Sequence, residues 1–253
     1  MRLVDLSATI RHSPPQVPPF LRTDIAYNDH AAGAGQIGAL LKVPPQLLRD
    51  GEGWATEEFT RFGTHDSTHV DAPWHYNSRI GGERAQTIDE LPLDWFFAPG
   101  VVLDMRHKAD GDPMTAEEAR AELARIGHTL RPRDIVLVRT GRDAFYDQPD
   151  YNFRGCGVTA EATRWLFEQG VRVMGIDAWG WDAPLDRQAR AALERGEPGI
   201  FWAAHQVDLP YCQIERLCNL GELPPAGFTV ACFPLKIAGG SAGPTRAVAI
   251  LPD

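Results

Sequence analysis

The sequence predicts a mixed α and β fold, and three observations carry that reading. Short apolar and β-branched runs alternate with stretches of helical periodicity. Capping signals and glycines mark where those stretches start and stop. No internal repeat, low-complexity tract or interdomain linker interrupts the 253 residues, so a single domain over 1–253 is expected.

Residues 3–10 read as the opening strand. Residues from about 12 to 60 are punctuated by Pro14-Pro15, Pro18-Pro19, Pro44-Pro45 and several glycines, and read as long excursions with at most short helices. Residues 88–95 suggest a short helix before a strand over 100–104. Thr115-Ala116-Glu117-Glu118 is a capping box, with Ala119, Leu123 and Ile126 at helical spacing and Gly127 as the stop. Residues 134–139 and 171–176 are strand-like, flanking a helix that Thr159 opens and Gly170 closes. Residues 185–195 read as helical, and 229–234 and 246–251 as terminal strands.

Composition narrows the function classes. Hydrophobic content of 43% suffices for a sizeable core, and a net charge of −9 argues against a nucleic-acid partner. The longest apolar runs are too short to span a bilayer, and Met1-Arg2-Leu3-Val4-Asp5 lacks the apolar stretch of a signal peptide. Cys156, Cys212, Cys218 and Cys232 show no Cys-x-x-Cys spacing, which points to free thiols in a reducing cytoplasm.

One run concentrates the chemistry. His65, His69, Asp71 and His75 fall within eleven residues, although the chain holds only eight histidines. Imidazoles with a carboxylate form a donor set suited to Zn²⁺ or Mn²⁺. On a straight strand His65 and His69 would lie roughly 13 Å apart at about 3.3 Å per residue, too far to share an ion with bonds of about 2.0–2.2 Å. A turn-like bend is therefore expected across 65–69, followed by extended chain through Asp71 toward His75. Pro73 has no amide proton, so the segment is expected to be a loop or a short edge element.

The run His65-Asp66-Ser67-Thr68-His69-Val70-Asp71-Ala72-Pro73-Trp74-His75 resembles the signature of the cyclase-like metal hydrolases, His-x-Gly-Thr-His-x-Asp-x-Pro-x-His. Ser67 replaces the glycine, so its Cβ either restricts the backbone or its hydroxyl supports a ligand. Val4-Asp5-Leu6-Ser7, Gly175-Ile176-Asp177, the segment from Ile214 to Leu220, and Pro234-Leu235-Lys236-Ile237 with Pro244-Thr245-Arg246-Ala247 are similar to further family segments in the same order.

The resemblance implies a swivelling β/β/α fold, with His65, His69 and Asp71 as metal ligands and His75 as an acid/base group beside the ion. In two-metal members a later His and a Glu complete a second site, which makes His205 and Glu215 candidates for one or two Zn²⁺ or Mn²⁺ ions. Glu215 pairing with Arg216 or Arg246 is the plain alternative, and Gln213 is a weaker possible contact. Trp74, Trp179, Trp181 and Trp202, with the regions of Phe20 and Phe59, are candidates for an aromatic substrate pocket, although core packing is the commoner fate of such residues. Asp177 and Asp182 are expected to cap turns. Gly239-Gly240-Ser241-Ala242-Gly243 lacks the Lys-Ser/Thr ending of a phosphate loop and reads as a hairpin turn.

These readings converge on a metal-dependent hydrolase cleaving a carbonyl–nitrogen bond, in a formamide, lactam or other amide of a small aromatic or cyclic substrate. A lactone or ester hydrolase on the same scaffold is the alternative. A metal protein that binds a small ligand without catalysis is a third, disfavoured by the intact His75. The apolar residues within 12–60 and the resemblance together suggest a homodimer or homotetramer.

Overall fold

The computed structural model describes residues 1–13, 17 and 22–253. Phe20 and the Pro14-Pro15 and Pro18-Pro19 pairs lie outside the described residues. The chain divides into two compact units, one of residues 9–66 and one of residues 1–8 with 67–253. In chain order the larger unit opens with β1 (Arg2–Asp5). The 9–66 unit then supplies β2 (Asp24–Asn28), α1 (His30–Leu41) and β3 (Thr56–Arg61).

The helix α1 runs for 12 residues, longer than the punctuation by glycine suggests. Asp29 caps it by accepting from the Ala32 amide, and Lys42 ends it in the left-handed region. Its glycines serve contact as well as flexibility. A Cβ on Gly33 would sit 1.8 Å from the Trp54 carbonyl oxygen, so only glycine lets the helix meet that backbone. β2 and β3 form an antiparallel pair across α1, with Ile25 opposite Phe59 and Tyr27 opposite Glu57.

The larger unit continues with β4 (His69–Asp71), α2 (Pro73–Tyr76), the small hairpin β5 (Arg79–Ile80) and β6 (Glu83–Arg84), and β7 (Phe97–Asp104). Then come α3 (Ala116–Arg125), β8 (Ile135–Arg139), α4 (Ala160–Glu168), β9 (Val173–Ile176), α5 (Leu185–Arg195) and β10 (Cys212–Glu215). β11 (Ala226–Ala231), β12 (Ala242–Pro244) and β13 (Val248–Leu251) complete it. Nine strands join one sheet in the order β1-β13-β11-β7-β8-β9-β10-β4-β12. The four from β7 to β10 are parallel and the remaining pairs antiparallel.

Parallel strands covered on both faces need apolar residues on both, and β8 shows it. Val136 and Val138 join a core with Ala119 and Leu123 of α3 and Ala162 and Leu166 of α4. Ile135 and Leu137 join a second core with Val4, Phe228, Val230 and Ala249, so the sheet curls until β1, β11 and β13 close over its other face. The fold is thus mixed α and β, as the alternation of patterns predicts.

Caps land where the sequence places them. Thr115 and Glu118 close both arms of the capping box on α3, and Thr159 caps α4 by accepting from the Ala162 amide. Two elements are shorter than expected. The segment 88–95 splits into two 3₁₀ turns, Ile88–Glu90 and Leu93–Trp95, because Pro92 separates them. β1 ends at Asp5, whose carboxylate turns back to accept from the Ser7 amide.

Candidate metal and catalytic site

Turns and bends occupy 64–68, after which the chain enters β4, as the spacing of the histidines requires. β4 is not an edge element, contrary to expectation: it lies between β10 and β12 and is paired on both sides. Pro73 permits this because the strand stops at Asp71 and Pro73 starts α2, where a missing amide proton costs nothing. The expected extended path to His75 is likewise replaced by that helical turn.

Register then assembles the site. β10 runs antiparallel to β4 with Gln213 opposite Asp71 and Glu215 opposite His69. Directly opposed residues share a sheet face, so His69, Asp71, Gln213 and Glu215 form one polar patch. Val70, Cys212 and Ile214 point the other way, into the second core. All four polar residues are buried, His69, Asp71 and Gln213 completely.

Two imidazoles aim at this patch. His69 Nδ1 lies 2.7 Å from the Ser67 carbonyl, which can only accept, so Nδ1 carries a proton and in the neutral ring Nε2 keeps its lone pair. Nε2 is 3.2 Å from Asp71 Oδ1 and 3.8 Å from Glu215 Oε2. His205 Nδ1 pairs with the Asp182 carboxylate, whose oxygens also hold the Ala204 and His205 amides, while Nε2 is 3.4 Å from Glu215 Oε1. Asp182 thus caps a turn, as expected, and orients a histidine as well. Glu215 accepts from the Trp181 amide at 2.9 Å and pairs with neither Arg216 nor Arg246; Arg246 binds Asp5.

The electrostatics follow from this crowding. Burial opposes charge on His69, yet Asp71 and then Glu215 outweigh it and raise its pKa, with Arg216 pulling the other way. Burial likewise opposes charge on His205, but Asp182 and Glu215 push its pKa up to about 10. Burial would raise the Glu215 pKa, but the His205 hydrogen bond and charge hold it below the usual carboxylate range. Buried carboxylates need a cationic partner, and the patch could hold one.

The donor set fits a divalent ion. Ligand atoms around a tetrahedral ion with bonds near 2.1 Å lie about 3.4 Å apart, and His69, Asp71 and Glu215 offer atoms all within 4.8 Å of one another. Each Nδ1 is held by an oxygen acceptor, the usual support of a metal-bound imidazole. Mixed nitrogen and oxygen donors suit Zn²⁺ and Mn²⁺ alike. Gln213 Oε1 adds a buried acceptor with no hydrogen-bond donor among the described residues.

His75 sits one helical turn beyond the strand, half-buried, with a ring nitrogen within 4.8 Å of an Asp71 oxygen. Its ring packs edge-on against Trp202 at 5.1 Å and His205 at 6.0 Å. His65 belongs to the 9–66 unit, in the turn that follows β3.

The sequence profile of the cyclase family, described as a putative cyclase, matches residues 4–183. The chain belongs to the cyclase family. It is 30% identical over 191 residues to the kynurenine formamidase of Salinibacter ruber, covering 74% of this chain and 76% of that protein. It is 28% identical over 201 residues to the isatin hydrolase of Roseibium aggregatum, covering 75% and 73%. A crystal structure of an isatin hydrolase bound to the product analogue thioisatinate superposes with a TM-score of 0.71 at 21% identity, over 99% of this chain and 92% of that one. Isatin hydrolase A from Labrenzia aggregata, bound to benzyl benzoate, gives 0.72 at 24%, over 100% and 94%. The chain is accordingly a metal-dependent hydrolase. The profile match includes the His65–His75 run but stops short of His205, Gln213 and Glu215, which strand pairing and packing bring to the same place.

The four tryptophans separate. Trp202 stacks on His205 at 4.7 Å with planes 7° apart, held in a left-handed conformation while its amide donates to Gln188 Oε1 at 2.7 Å. Trp179 lies under the Arg216 guanidinium. Trp74 is exposed on α2. Trp181 is fully buried, its indole N–H donated to Thr163 Oγ1, so the structure gives it a core position and a backbone role rather than a wall of the site. Asp177 accepts from the Thr140 and Gly141 amides and the Thr140 hydroxyl, the turn-capping role expected of it. Burial nonetheless lifts its pKa to about 6. Ser67 shows no positive φ, and its hydroxyl donates to the Ala8 carbonyl. Its Cβ is therefore tolerated, and its carbonyl orients His69.

Proposed function

We propose that this enzyme hydrolyses the carbonyl–nitrogen bond of a small aromatic or cyclic amide, a formamide or a lactam. The observation that carries the reading is the co-facial set His69, Asp71 and Glu215 with His75 within reach of Asp71. Relatives named kynurenine formamidase and isatin hydrolase support it. His65, His69 and Asp71 would hold one Zn²⁺ or Mn²⁺ ion, with Glu215 and His205 able to contribute to a second position and Asp71 common to both. A divalent ion held there supplies a Lewis acid toward the carbonyl and acidifies water to about pKa 7.

The side chains around it do the rest. Asp71 and Glu215 fix the imidazoles and, buried, are screened little by solvent. His75 takes a proton from the attacking water and returns it to the departing nitrogen, a role suited to an imidazole at neutral pH. Trp202 offers an aromatic wall beside His75, against which a planar substrate would stack. Assay of matched amides and lactones with metal-replete protein tests this: preferential amide turnover supports it, and turnover of lactones alone would replace it with ester chemistry.

We place the enzyme in the cytoplasm, in keeping with four free cysteines. Among the described residues no helix is long and apolar enough to cross a membrane. We also propose a homodimer or homotetramer in which part of the 9–66 unit lies near the partner's active-site mouth.

A further inference from the structure

Arg216 follows Glu215 directly and is only 8% exposed, yet its guanidinium makes no hydrogen bond or ion pair among the described residues. The backbone around it is pinned. Its amide donates to the Ala178 carbonyl at 3.0 Å, and its carbonyl accepts from Thr68 Oγ1 at 2.6 Å, one residue before His69. That pinning holds φ at +59°, a left-handed conformation a long side chain disfavours. The guanidinium lies over the Trp179 ring, 4.9 Å from its centroid, which supports one face of the fork and leaves its N–H edge unused.

Among the described residues, several acidic side chains of the same unit are engaged with other groups. Glu215 serves His205 and the Trp181 amide, and Asp177 serves Thr140 and Gly141. Asp143 accepts from the Asn219 amide, and Asp5 binds Arg246. A largely buried guanidinium with no hydrogen-bonded acceptor among the described residues is costly unless a ligand supplies one. Planar guanidinium recognises carboxylate in a two-pronged fashion.

We propose that Arg216 anchors an anionic group of the substrate, so that this enzyme acts on amides that also carry a carboxylate. The inference rests on the amide-hydrolase reading for the reacting bond, but the anion subsite stands on Arg216 and Trp179 themselves. Arg216 is a binding residue beside the catalytic patch; it sets which substrate stays.

The test compares metal-loaded wild type, Arg216→Asn and Arg216→Lys. Asparagine tolerates left-handed backbone, and lysine keeps the charge without the fork. Calorimetric titration with benzoate and benzamide reads the subsite directly, and any attraction of the ion for carboxylate is common to all three proteins. Wild type should prefer benzoate. Arg216→Asn should weaken benzoate roughly 10- to 100-fold, the range expected for a charged hydrogen-bonded pair, and leave benzamide unchanged, with Arg216→Lys in between. The KM for N-formylanthranilate should rise in parallel, with kcat nearly constant and formanilide unaffected. Equal wild-type affinity for benzoate and benzamide, or equal loss of both in Arg216→Asn, overturns the proposal. If neither formyl compound turns over while the benzoate preference still depends on Arg216, the amide reading fails and the anion subsite stands.

Discussion

At the level of single residues, ligation and proton transfer should come apart. His75 lies on α2, outside the strand pair that holds His69, Asp71 and Glu215 together. His75→Asn should therefore keep the metal while losing the ~10²–10⁴-fold typical of general acid/base catalysis; metal loss in that variant would make His75 a ligand. The histidines also couple the site to pH. His205 has a pKa of about 10 in the metal-free fold, above its ordinary 6.5. Its proton therefore stabilises the metal-free protein fully below pH 6.5, and that stabilisation is lost as pH rises through about 10. A divalent ion displaces such protons, so its binding strengthens over the same range. Thermal melts with and without chelator between pH 6 and 10 should show the metal-free Tm falling and the gap to the loaded form widening. A metal-free Tm that stays flat would contradict the site's electrostatics.

Among the elements, β4 and β10 decide the chemistry and α5 decides what covers it. Gln188 of α5 uses both ends of its amide: Nε2 donates to the Ala183 carbonyl and Oε1 accepts from the Trp202 amide. That clamp holds Trp202 flat on His205. Gln188→Leu should raise KM for aromatic substrates and change tryptophan fluorescence at unchanged metal content; unaltered KM and emission would mean that Trp202 is held by packing alone. The His65–His75 run can be read from the sequence because its donors are local and turn geometry constrains them. Glu215 and His205 cannot be found that way without the family resemblance, since an antiparallel register and a loop bring them to β4 over more than 100 residues. Gln213 becomes a serious contact only once its place opposite Asp71 is known. The α1 helix is obscured for a different reason. Gly33 looks like a breaker, but it is there so that the helix can touch the Trp54 backbone, a contact no local pattern encodes. Trp181 misleads in the opposite direction: its place in an aromatic-rich segment suggests a pocket, while Thr163 satisfies its indole inside the core.

For the whole molecule, the described residues of the 9–66 unit include large apolar side chains that are exposed. Tyr27, Leu40, Leu47 and Phe59 are each at least half exposed. A two-stranded pair is marginal alone, and the proposed homodimer or homotetramer is one way to cover these side chains. Light scattering at micromolar concentration should give a dimer or tetramer; a monomer would reject that assembly. Replacing Tyr27 and Phe59 with serine should shift the population toward smaller species, whereas an unchanged distribution would place the interface elsewhere. The claim on which the rest depends is that the β4–β10 patch holds a metal. Elemental analysis of purified wild type and His69→Ala, at matched folding by circular dichroism, tests it most directly. Wild type should hold at least one Zn²⁺ or Mn²⁺ per subunit and the variant nearly none; full occupancy in His69→Ala would contradict metal binding by this patch.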